Sequence, residues 1–130
     1  MDVASLYTSI PHELGLEAIN FWSHKHRLKI SSRFSNAFIL DSIEFILKNN
    51  YFHFEDDIYL QNSGTAMGTA MAPTYANLVM GYLENKMYQT IANYYEPNIS
   101  AKISDNWLRY IDDCFIIWDT KFGNLNNFLS

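Results

Sequence analysis

Hydrophobic residues recur along the chain with periods that divide it into recognisable elements. Leu14, Ala18, Phe21 and Trp22 fall at helical spacing, which predicts a helix from about His12 to His26 with Pro11 at its first turn. Ser35 is placed to cap a second helix, in which Ile39, Ile43, Ile46 and Leu47 form one apolar face and Lys48-Asn49-Asn50 closes the end. That helix is expected to pack behind a sheet. Tyr51-Phe52-His53-Phe54 and Ile58-Tyr59-Leu60-Gln61 alternate as strands around Glu55-Asp56-Asp57. A longer helix starts near Pro73, with Ala76, Val79, Met80, Leu83, Met87 and Ile91 in one stripe. Tyr94-Tyr95-Glu96-Pro97 ends it, because proline restrains the residue before it. Asn98 to Asn106 reads as a polar connection. It leads into Trp107–Tyr110 and Cys114–Trp118, two short runs rich in β-branched and aromatic residues on either side of Asp112-Asp113.

Composition narrows the class. A chain of 130 residues, 48% of them hydrophobic, suffices for one packed domain and is too short for two. No uninterrupted apolar stretch reaches membrane-spanning length, and no signal segment opens the chain, so no membrane partner is expected. The single cysteine, Cys114, excludes an internal disulfide and fits a reducing, intracellular compartment. It reads as packing, since no base partner is evident.

Candidate chemistry starts at Asp112-Asp113. Adjacent like charges at a turn repel, so the pair is either a solvated acidic turn or a site for a divalent cation with hard oxygen ligands. Glu55-Asp56-Asp57 is a second acidic turn, read as solvent-facing. His24-Lys25-His26-Arg27-Leu28-Lys29 is the most basic stretch. It reads either as a solvated helix end or as a contact for a nucleic-acid backbone, and its histidines are badly spaced for a metal. Gly64-Thr65-Ala66-Met67 and Gly68-Thr69-Ala70-Met71 nearly duplicate each other. These small residues form either a linker or a loop that another molecule approaches closely at a helix N-terminus. The loop lacks the Gly-Lys-Ser/Thr ending of a P-loop.

Three stretches in order carry a specific resemblance: Asp2-Val3-Ala4-Ser5-Leu6-Tyr7-Thr8-Ser9-Ile10-Pro11, then Gly64 through Leu78, then Tyr110-Ile111-Asp112-Asp113. Their succession resembles the A, B and C motifs of the reverse-transcriptase palm. The wording of the middle one is most similar to the Penelope-like retroelement branch, which is related to telomerase. The resemblance implies an α+β fold, a right-hand polymerase palm fragment with a small antiparallel sheet and helices packed on one face. The sheet would join a first strand ending at Asp2 to the 107–118 hairpin, with the 51–61 hairpin to one side. Residues 1–130 would be a partial palm domain truncated at both ends, lacking fingers and thumb and, in many such elements, a downstream endonuclease. The net charge of −5, awkward for a protein that grips phosphates, fits a palm whose basic neighbours lie elsewhere.

The same resemblance implies the site. Asp2, Asp112 and Asp113 would be the catalytic acids and, with the Val3 carbonyl, the ligands of two Mg²⁺ ions, Mn²⁺ being the alternative ion. Tyr7 would be the steric gate against a 2′-hydroxyl, unless it is a boundary tyrosine of the core. Gly64, Met67, Gly68 and Pro73 would shape the nucleotide pocket, and Tyr110 would lie near the primer end. Met67 stands where many reverse transcriptases carry a glutamine, which removes a polar contact to the nucleotide. RNA template, DNA primer and deoxynucleotides are the implied partners, and the implied location is nuclear rather than cytoplasmic. Little polymerisation is expected from these residues alone. Competing readings are a non-catalytic remnant of a mobile element, an RNA-dependent RNA polymerase palm, and an α+β interaction module whose three acids lie far apart.

Overall fold

Local sequence accounts for most element boundaries in the computed structural model, which describes residues 3–125 and 128. The chain divides into two compact units, Ala4–Tyr82 and Met1–Val3 with Leu83–Ser130, so the boundary falls inside a helix.

In the first unit, α1 (Leu6–Ser9) is a single turn and α2 (His12–Lys25) begins directly after Pro11. Helix α3 (Asn36–Lys48) is capped by Ser35, whose hydroxyl accepts from the Phe38 N–H at 3.1 Å, a cap that contributes about 1 kcal/mol. Within its unit α3 packs on α2. Asn36 donates to Asn20 Oδ1 at 2.7 Å and accepts from the Ser23 hydroxyl, and Leu47 is the buried residue of its apolar face. Strands β1 (Tyr51–Phe54) and β2 (Asp57–Leu60) form an isolated antiparallel hairpin whose residues are all exposed. Phe54 pairs with Asp57, so Asp57 belongs to the strand and the turn is Glu55-Asp56, with Glu55 at φ 55°.

The loop after β2 leads into α4 (Ala72–Tyr94). Ala76, Val79 and Met80 of its stripe are buried, together with Tyr75 and Tyr82, which the stripe did not include. Gly15 explains how α2 accommodates Tyr75: a Cβ at Gly15 would overlap the Tyr75 hydroxyl. Glycine costs a helix interior about 1 kcal/mol relative to alanine, and here close approach of an aromatic ring requires it. Trp22 Nε1 donates to the Leu78 carbonyl at 2.8 Å, and the Tyr82 hydroxyl donates to Glu17.

The second unit contains the remainder of α4, in which Leu83 is 38% exposed rather than core. The segment read as a polar connection is instead helix α5 (Pro97–Asn106). Pro97 occupies the first helical turn, where its missing N–H costs nothing, so the residue that ends α4 also starts α5. Ile99 and Ile103, four apart, share a face, and Ile103 joins Ile91 and Phe122 in a core that also takes in Met87, Tyr88, Tyr95, Ile116 and Trp118.

Strands β3 (Trp107–Tyr110) and β4 (Asp113–Ile116) form the second antiparallel pair. The two sheets described each have two strands, and the first strand expected to end at Asp2 and join the 107–118 hairpin lies outside the described residues. Among the described residues, the Val3 N–H donates to the Asp112 carbonyl at 3.2 Å beside that hairpin. Among the described residues no helix is long and apolar enough to cross a membrane.

Candidate active site

The β3–β4 register sets the acidic tip. Trp107 pairs with Ile116, Leu108 with Phe115, Arg109 with Cys114 and Tyr110 with Asp113, which leaves Ile111 and Asp112 as the turn. Alternation separates two faces. Leu108, Tyr110, Asp113 and Phe115 are exposed, while Trp107, Arg109, Cys114 and Ile116 point inward to differing degrees. Tyr110 is 77% exposed and directly opposite Asp113, so ring and carboxylate share the outer face at the tip. Ile111 has φ 55°, the left-handed region, where a β-branched residue costs about 1–2 kcal/mol.

The inner face is anchored by a residue the sequence reading passed over. Glu84 of α4 receives Arg109 Nε at 2.7 Å on Oε1 and Arg109 Nη2 at 3.2 Å on Oε2, a two-pronged ion pair, and Trp107 Nε1 at 3.0 Å on Oε1. Arg109 Nη1 also donates to the Ile111 carbonyl at 2.9 Å. Cys114 lies buried on this face; burial first, then the Glu84 charge, pushes its thiol up from the ordinary value, against the opposing pull of Arg109. A thiol kept protonated in this way is a packing residue, not a nucleophile. The only advance signal for Arg109 was its place on the same strand face as Trp107; Glu84 gave none, being one acid in a long helix.

Asp112 is half-buried and Asp113 exposed, and neither carboxylate has a hydrogen-bond or ion-pair partner among the described residues. Adjacent unpaired carboxylates offer the hard oxygen donors that Mg²⁺ takes, so this donor set fits such an ion. Among the described residues no group of three metal-ligating side chains is assembled. Asp2, the third expected ligand, lies outside the described residues. Its covalent neighbour Val3 is the residue whose N–H meets the Asp112 carbonyl.

The nucleotide-pocket candidates fall in the Ala4–Tyr82 unit. Tyr7, half-buried on α1, accepts the Thr65 N–H at 2.7 Å with its carbonyl. Gly64 is buried at φ +71°, and a Cβ there would come within 2.6 Å of Thr8 Cα and 2.7 Å of the Tyr7 carbonyl oxygen. His12 Nε2 donates to the Gly64 carbonyl at 2.8 Å. Two predicted residues, Tyr7 and Gly64, are thus brought together, with His12 as an unforeseen third member. Further along the loop, Met67 is 75% exposed, Gly68 has open space where a side chain would go, and Pro73 is exposed in the first turn of α4. Asp56 and Asp57 are exposed at the other hairpin.

An α+β chain with an unpaired carboxylate doublet at a strained hairpin tip, and a glycine loop docked on a tyrosine, has the make-up of a polymerase palm. The family profile described as reverse transcriptase (RNA-dependent DNA polymerase) matches residues 1–127, and the chain belongs to that family. No curated protein and no solved structure gives a significant match.

Proposed function

We propose that the chain is the catalytic palm of a retroelement RNA-directed DNA polymerase, of the Penelope-like type, adding deoxynucleotides to a DNA primer on an RNA template. The observation that carries this reading is the hydrogen bond between Val3 and Asp112, because it joins the residue after Asp2 in sequence to the backbone of the hairpin turn that bears Asp112. The family match over residues 1–127 supports it.

Asp2, Asp112 and Asp113, with the Val3 carbonyl, would hold two Mg²⁺ ions or Mn²⁺ in their place. When bound, such ions stabilise the attacking and leaving oxygens of phosphoryl transfer. The chain's own contribution is positioning and electrostatics, which carry most of this chemistry. The hairpin turn fixes the two late carboxylates. Tyr110, exposed at the tip, offers a ring to the primer end. Tyr7, tethered through its carbonyl to Thr65, excludes a 2′-hydroxyl by bulk, and the loop from Gly64 to Pro73 bounds the nucleotide. Fingers, thumb and, in some such elements, an endonuclease would belong to the rest of the polymerase, whose place of work would be the nucleus.

The test is primer extension on RNA in a polymerase context that supplies fingers and thumb. Asp112→Asn is expected to lower the rate by at least about 100-fold, the scale on which one electrostatic group is felt in such sites. Unchanged extension would remove the assignment. Preference for ribonucleotides over deoxynucleotides would favour an RNA-dependent RNA polymerase instead.

A further inference from the structure

Glu84, Arg109 and Ile111 form a chain of contacts that a structural ion pair does not need. Side chains of Arg109 and Glu84 are only 13% and 17% exposed, so both charges are largely withdrawn from water. Desolvation makes such a pair no more stabilising than a well-packed apolar substitute. What an apolar pair could not do is hold the turn. Arg109 uses Nε and Nη2 on the two oxygens of Glu84, and that fork fixes the guanidinium plane. The remaining edge then presents Nη1 to the Ile111 carbonyl at 2.9 Å. Ile111 is the residue in the left-handed region, and the residue after it is Asp112. Trp107 Nε1 adds a third bond to Glu84 and locks the acid from the strand side.

We propose that Arg109, oriented by Glu84, is a positioning residue that holds the Ile111–Asp112 turn in its strained form and so keeps the Asp112 and Asp113 carboxylates aimed at one divalent-cation site. This inference rests on the function proposed above. Strain at Ile111 relaxes unless something outside the turn opposes it. A carbonyl pinned from the inner face does so, because a flipped Ile111 peptide would carry its oxygen away from Nη1. Lysine cannot reproduce the arrangement: its single ammonium lacks the planar fork that engages carboxylate and carbonyl together.

The experiment compares the chain with Arg109→Lys, Glu84→Gln and Asp112→Asn by two readouts. One is amide hydrogen exchange of residues 111–114 without metal; the other is titration with Mn²⁺ alone, followed by electron paramagnetic resonance. Arg109→Lys is expected to speed exchange at those amides at least tenfold while the helices keep their protection, and to weaken Mn²⁺ binding about tenfold. Asp112→Asn is expected to remove the binding and leave the protection of α2 and α3 unchanged. Wild-type exchange at residues 111–114 in both Arg109→Lys and Glu84→Gln would overturn the inference, as would wild-type Mn²⁺ affinity in both. Should Arg109→Lys fail to fold, Glu84→Gln decides by the same readouts. Absence of Mn²⁺ binding in the wild-type chain would count against the proposed function, and the metal-free exchange would still decide the role of Arg109.

Discussion

The N–H of Val3 donates to the carbonyl of Asp112 at 3.2 Å, joining an early residue to the turn of a hairpin formed late in the sequence. The bond matters because of what adjoins each partner. Asp2 precedes Val3 in sequence, and Asp113 follows Asp112, so the contact lies one residue from two of the motif acids along the chain. A soluble acidic turn needs no such partner.

Gly64 and Gly68 separate the docked and open halves of the loop. Gly64→Ala places a methyl group against Thr8 backbone at a positive φ, and backbone cannot swing aside as a side chain can. It is expected to destabilise the chain by about 2 kcal/mol or more, whereas Gly68→Ala stays within about 0.5 kcal/mol. Urea unfolding of the two variants measures both.

Tyr7 is the candidate gate. Tyr7→Ala is expected to raise ribonucleotide incorporation relative to deoxynucleotide on the order of tenfold or more, the scale on which pocket shape discriminates a single small group. Competition between the two nucleotide types in a polymerase context gives the ratio. Since the Tyr7 contact to Thr65 is through the backbone carbonyl, the side-chain change should leave the docking of Gly64 intact.

Tyr75 controls an alkaline limb of stability. Burial pushes its hydroxyl up from 10.0 to about 12, and among the described residues that hydroxyl has no hydrogen-bond partner. Between those values the unfolded chain has released the proton that the folded chain retains, so stability falls as pH rises from 10 through about 12. Below 10 the contribution is fully present. Tyr75→Phe removes an unsatisfied buried group, and is expected to be as stable as the parent at pH 8 and to lose less between pH 10 and 12. Denaturant midpoints across that range test it.

Cys114 is expected to resist alkylation. The residue is 6% exposed, and burial raises the pKa of its thiol, so it forms thiolate reluctantly. Reaction with iodoacetamide at pH 8 should be at least tenfold slower in the folded chain than in urea.

Where local chemistry set an element, the sequence was readable. Ser35 announces α3 through a cap, Pro11 introduces α2, and alternation around Asp112 places the hairpin. Helix α5 was hidden because Asn98, Ser100 and Asn106 look like loop residues, and because Pro97 was taken only as a stop. Its Ile103 is helical by virtue of a core shared with Ile91 and Phe122, a tertiary cause that no window of sequence contains. Three ordered motif wordings were enough for the family. The Arg109 fork on Glu84 was not readable, since a pairing between a helix and a strand leaves no local pattern. His12 at the Gly64 carbonyl was missed for the same reason.

Substoichiometric Mn²⁺ added to the labelled chain, with loss of backbone amide signals mapped by residue, tests the central claim most directly. The account predicts broadening concentrated at Val3 and residues 111–114, abolished by Asp112→Asn. Broadening centred on Asp56 and Asp57, or spread evenly over the exposed acids, would contradict it.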